Sequence, residues 1–136
     1  MKIKSKKISK SILKKREQRR IKRENKLKFK EFVKKIKERD NYTCQISGKY
    51  LKDADPRALP MVHVLSKENY PSLKMDENNV LCLSFYHHKN SPLSPHLDGF
   101  VFVDWFKHKF PLRYRYLIKK LREINEKTWN TLFTTY

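Results

Sequence analysis

Between Lys14 and Arg39 the chain contains neither glycine nor proline and is dense in lysine and arginine. Residues 1–39 hold 19 of the 33 Lys+Arg of the whole chain against four Glu, a local net charge of +15. Such a stretch cannot be a buried element, because an unpaired ion is costly to take out of water. Straight-chain charged residues are good helix formers, so the composition predicts a solvent-exposed basic helix over 14–39. Only its second half offers a face to pack. Phe29, Phe32, Val33 and Ile36 fall at i, i+3, i+4 and i+7, one side of a helix. The first ten residues, MKIKSKKISK, are too charged and too poor in apolar side chains to pack, and are expected to form a mobile arm.

The rest of the 136-residue chain is closer to balance, with 14 basic and 10 acidic side chains. Hydrophobic residues make up 38% and charged residues 35%, which implies one domain with a modest core plus an extension. The uneven charge points to a polyanionic partner, and nucleic acid is the commonest polyanion. Lys14, Lys15, Arg16, Arg19, Arg20, Lys22 and Arg23 on the helix are the candidate phosphate contacts. Lys89, Arg113 and Arg115 join them further along. No apolar run approaches the ~18 residues of a membrane span, and the N-terminus lacks the apolar stretch of a signal peptide. The expectation is a protein without a membrane partner, in the cytoplasm or, for a viral protein, the host's cytoplasm. Cys44 and Cys82 are expected to stay as thiols in that reducing compartment.

Asp40-Asn41 ends the basic helix and Ser47-Gly48 makes a turn. RALPMVHVLS, residues 57–66, reads as a strand carrying His63, and NVLCLS as a second, shorter one. FYHHKN begins a short helix that SPLSPH ends; FVFVDWF fits a strand or a helix equally well. Pro111 suits the first position of a last helix, with Tyr114, Leu117, Leu121 and Ile124 on one face. Trp105, Phe106, Phe110, Tyr114 and Tyr116 alternate with basic residues. They can stack on unpaired bases or fill the core beneath the last helix, and for Trp105 and Phe110 the core is expected.

A strand with a histidine, a connector, a strand opening on asparagine and a helix with a histidine is the layout of a ββα-metal nuclease site. There, a strand histidine takes a proton from the attacking water as general base. A side-chain amide orients that imidazole or braces the loop, and a helix histidine helps to hold a divalent ion. His63, Asn79 and His88 take these places in order. Three segments, FKEFVKKIKERDNYTCQISGK, MVHV and LKMDENNVLCLSFYHHKN, resemble the HNH endonuclease family, and within it the phage NinG (Rap) recombination nucleases. FVFVDWFKHKFPLRYRYL is similar to the aromatic helix that follows the site in that family, so the likeness covers about residues 29–121. It implies an α+β fold, a small ββα-metal unit flanked by the long basic helix and a C-terminal helix. It also implies an arm or helix at 1–28, the nuclease domain at 29–127 and a tail at 128–136. The function implied is hydrolysis of double-stranded or branched DNA with little sequence specificity. The catalytic residues are then His63, Asn79 and His88, with His88 as ligand to Mg²⁺ or Mn²⁺.

Two departures from the family pattern carry expectations of their own. Family members commonly bear a zinc knuckle of two CxxC pairs, and here the four positions read Cys44, Ser47, Ser84 and His87. Serine is a poor zinc ligand beside thiolate or imidazole, so no structural zinc is expected, and His87 is a remnant of the knuckle or a phosphate contact. Many family sites place Asp or His directly before the base, where this chain has Val62; a histidine three residues before it in some relatives is here Pro60. Asp53 and Asp55 lie on the preceding loop, and His96 and His108 are expected at the surface with no chemistry. The alternative that these departures favour is a catalytically inactive, HNH-like DNA-binding module.

Overall fold

Ser9 opens the first helix, its hydroxyl accepting the Ile12 N–H at 3.4 Å, the N-cap arrangement that satisfies an otherwise unpaired amide. Helix α1 therefore runs over Lys10–Arg39, four residues longer at its start than the composition predicted. The computed structural model describes residues 7–134, with side chains described through 128. Most of the expected N-terminal arm, residues 1–6, and most of the expected tail side chains lie outside the described residues. The chain divides into two compact units, Met1–Lys34 and Lys35–Tyr136.

In the first unit every described side chain from Lys7 to Lys28 is exposed, as a helix this rich in charged residues requires. Phe29 and Phe32 stack with ring centroids 6.5 Å apart.

The second unit begins with the last residues of α1, where Ile36 is fully buried. The helix ends in a Schellman motif. Asn41 and Tyr42 adopt φ of 53° and 50°, the Tyr42 N–H bonds the Lys37 carbonyl at 2.8 Å, and the Asn41 N–H bonds that of Glu38 at 3.0 Å. Asparagine tolerates this left-handed conformation, and Tyr42 is the strained residue of the pair. Asp40, between helix and turn, is buried and accepts the Cys82 N–H at 2.8 Å. Arg39 pairs with the same carboxylate at 2.9 Å and donates to the Val80 carbonyl at 2.8 Å.

These bonds tie the helix end to the sheet. Two short antiparallel strands form it, β1 (Met61–His63) and β2 (Val80–Cys82), in the register Met61↔Cys82, Val62↔Leu81 and His63↔Val80. The strand read over 57–66 is much shorter than expected. Pro56–Ala58 makes a turn of 3-10 helix whose Arg57 N–H is held by the Asp55 side chain, and beyond His63 the chain turns away to bond Asn79. All of β2 is buried, which accounts for its unbroken apolar run.

After β2 come α2 (Phe85–Lys89), α3 (Gly99–Lys109) and α4 (Pro111–Thr134). Thus FVFVDWF is helical. The Asp98 side chain accepts the Phe100 and Val101 N–H groups and starts α3. Phe102 and Phe106, four apart, are its buried residues, whereas Trp105 is only half-buried and packs on Phe102 and Phe110. Pro111 is the first residue of α4, and Leu117 is buried on its inner face. The fold is α+β.

Asp40→Ala leaves the Cys82 N–H without its acceptor inside the core and the Arg39 guanidinium without its carboxylate partner, with only backbone carbonyls to bond. Breaking a buried charged hydrogen-bond pair by removing one partner costs on the order of 3 kcal/mol, so Tm is expected to fall by roughly 12–20 °C. Asp40→Asn, which keeps an oxygen for the Cys82 amide, is expected to lose less. Circular dichroism melts of the three proteins measure this, and equal Tm values would show that the carboxylate contributes nothing.

Candidate active site

One buried side chain braces both ends of the connector between β1 and β2. Asn79, fully buried, accepts the Leu65 N–H at 2.8 Å through Oδ1 and donates from Nδ2 to the Leu65 and Leu73 carbonyls at 2.9 and 3.0 Å. Its own carbonyl accepts the Val64 N–H at 2.8 Å. Both ends of the 65–73 loop are thereby pinned to the start of β2.

The next carbonyl along that loop belongs to Lys74, and it lies 2.9 Å from His63 Nε2. A carbonyl can only accept, so Nε2 carries the ring proton and Nδ1 is the nitrogen with the lone pair. Burial pushes the His63 pKa down, the bond to Lys74 and the charge of Glu68 pull it up, and Lys67 and Lys74 push it down again. The net shift is downward, which keeps the imidazole neutral at pH 7.

His63 lines a cleft of about 410 Å³ together with His88, Lys89, Glu68, Lys67 and His96. Ser84 caps α2, its hydroxyl accepting the His87 N–H at 3.4 Å, and His88 stands on this helix. Burial, with the nearby His96 and Lys89, pushes the His88 pKa down to about 4. The loop after α2 then brings His96 back against it, with the two Nε2 atoms 2.7 Å apart. Its fold rests on Ser94, which is fully buried. The Ser94 hydroxyl donates to the His88 carbonyl at 2.6 Å and accepts the His96 N–H at 3.2 Å.

His63 and His88 therefore line one cleft, and Asn79 stands behind it bracing the loop. His96 was expected at the surface without chemistry; it is exposed, but its ring meets that of His88. Glu68 is the carboxylate that reaches the cleft, whereas Asp55 is engaged by Arg57 at 2.9 Å. The sequence signal for His96 was faint: a histidine eight residues after His88, across a loop with two serines and two prolines. For Glu68 it was a position five residues after His63. Val62 is buried and offers no donor atom. His108 bonds the carbonyl of Asp104 within its own helix at 2.7 Å.

Three of the four knuckle positions come together. Cys44 Sγ accepts the Ser47 N–H at 3.5 Å. Burial raises the Cys44 pKa, but hydrogen bonds from Ser47 and Ser84 outweigh it and leave the thiol below its ordinary value. His87 turns instead to Ser91, with Nδ1 and Oγ 2.9 Å apart. Cys82 is buried beside Asp40, and burial with that negative charge pushes its pKa up to about 12, so it behaves as an inert thiol.

Of the basic residues, Lys14, Lys15, Arg16, Arg19, Lys22 and Arg23 are exposed on α1. Arg20 is different: it donates to Glu17 at 3.1 Å and to Glu24 at 2.9 Å along the helix. Lys89 stands at the cleft and Arg115 is exposed on α4. Arg113 is half-buried against the Phe110 ring, 4.4 Å from its centroid.

As for a metal, no three His, Cys, Asp or Glu side chains among the described residues are grouped to hold one. The imidazole nitrogens of the cleft are nevertheless ligand types suited to a divalent transition ion, with water and substrate oxygens in the remaining positions. No helix among the described residues is long and apolar enough to cross a membrane. In comparisons with protein-family models, curated proteins and solved structures, nothing matches this chain.

Proposed function

We propose that the chain is a metal-dependent DNA endonuclease of HNH type, phage-like, that cuts branched or recombination-intermediate DNA with little sequence specificity. The observation that carries this reading is the shared cleft of His63 and His88, with the His63 Nε2–H held by the Lys74 carbonyl. In this ββα-metal reading, His63 Nδ1 takes the proton of the water that attacks phosphorus. His88 holds the divalent ion, which when bound neutralises charge developing on the phosphate and the leaving oxygen. Lys89 and Lys67 at the cleft attract the phosphate, and the exposed bases of α1 follow the DNA backbone. Such contacts read no sequence and weaken steeply with salt.

The test is to incubate the full chain with four-way junction, forked and linear duplex DNA, adding Mg²⁺, Mn²⁺, Co²⁺, Ni²⁺ or Zn²⁺ in turn. Cleavage that requires an added metal and stops on chelation is expected. Binding without cleavage in every metal would sink the enzyme and leave the second reading, a catalytically inactive DNA-binding module. Val62, which brings no ligand to the position before His63, favours that second reading.

A further inference from the structure

His96 has no place in the family pattern, yet its ring meets that of His88 in the cleft. The contact is not a chance meeting of two mobile side chains. Ser94, fully buried, bonds the backbones of both residues at once, and the ring centroids lie 4.5 Å apart at 65°. The Nε2 atoms face each other at 2.7 Å. Two imidazole nitrogens bound to one ion at about 2.1 Å stand about 3.0 Å apart at the right angle of an octahedral ion and about 3.4 Å apart at the tetrahedral angle. The nitrogens need to part by about 0.3–0.7 Å, with a turn of the rings that brings both lone pairs onto the ion, to admit it.

We propose that His88 Nε2 and His96 Nε2 are paired ligands of one divalent ion of the imidazole-preferring class, Co²⁺, Ni²⁺ or Zn²⁺, in preference to Mg²⁺. Magnesium demands hard oxygen donors and sheds its water reluctantly, and a pair of neutral nitrogens gives it little. The same pair suits the later first-row ions. His96 thus supplies from the loop after α2 the second donor that Val62 fails to supply from β1. The remaining positions stay open to water and a phosphate oxygen, as a catalytic site needs. The role of the ion in hydrolysis rests on the nuclease reading above; its binding does not.

Calorimetric titration of the full chain with Ni²⁺ in the absence of DNA is the test, with Mg²⁺ as competitor and Co²⁺ absorption as a second readout of imidazole ligation. Wild type is expected to bind one Ni²⁺ per chain with no displacement by millimolar Mg²⁺. His96→Ala is expected to weaken binding roughly tenfold or more, and His88→Ala similarly, while His87→Ala, whose ring is held by Ser91, binds as wild type does. His96 is exposed, so its replacement does not threaten folding, and a circular dichroism spectrum verifies that. Wild-type affinity in His96→Ala, or ready displacement by Mg²⁺, overturns the proposal. Tight Ni²⁺ binding without DNA cleavage overturns the nuclease reading alone.

Discussion

His63→Ala is expected to slow DNA cleavage by about 10²–10⁴-fold, the usual contribution of a positioned general base, with DNA affinity unchanged. The imidazole is held in one tautomer by the Lys74 carbonyl, and Ala removes the lone pair without touching the basic residues that grip phosphate. The pH profile carries the second half of the expectation. Burial is the largest cause of a His63 pKa below its ordinary 6.5, and the base works only when neutral. The wild-type rate is therefore flat near pH 7 and falls as pH drops through this depressed value, where the ring takes up a proton. In His63→Ala that acidic limb should vanish from the residual rate. Single-turnover rates between pH 5 and 8 measure both. A variant that cuts at the wild-type rate, or keeps the limb, removes His63 from the chemistry.

Asn79→Ala is expected to act twice. Three hydrogen bonds of a fully buried amide disappear, leaving the Leu65 N–H and carbonyl without their partner and the Leu73 carbonyl with the Asp76 N–H alone, a loss of on the order of 3 kcal/mol. The catalytic consequence follows from adjacency. Leu73 offers its carbonyl to Asn79, and Lys74, one residue on, offers its carbonyl to His63. Asn79 is thus a positioning residue for the base. The readout that separates this from plain destabilisation is a double-mutant cycle, measured at a temperature where every variant is folded. If Asn79 acts through His63, its removal lowers the rate by itself but adds little to the loss already caused by His63→Ala. Additive losses would show that the amide only stabilises the loop.

Local chemistry made much of this fold readable before any coordinates. A strongly basic run without glycine or proline had to be an exposed helix, and Pro111 had to begin the last one. The order of His63, Asn79 and His88 along the chain placed the two histidines on a strand and a helix, whereas Asn79, expected to open the second strand, ends the 3-10 turn Glu77–Asn79 just before it. Signals that act over a few residues were less complete. The cap at Ser9 extends α1, and the cap at Asp98 decides for a helix in FVFVDWF, so that Phe102 and Phe106, rather than Trp105, fill the core. The strand around His63 shrank because its flanks find better hydrogen bonds in the Asp55 turn and in Asn79.

What the sequence by itself determined is the set of elements and the residue types available to a site, because helix propensity, capping and charge repulsion are settled within a turn or two of the chain. What only the tertiary structure decided is which of those residues meet. Asp40 became the buried tie between helix and sheet because the Cys82 amide arrives opposite it. The Asn79 side chain acts on the base through the Leu73–Lys74 backbone, and His96 meets His88 because a buried serine closes the loop between them. Such meetings depend on hydrogen bonds across chain turns, whose partners no local pattern marks.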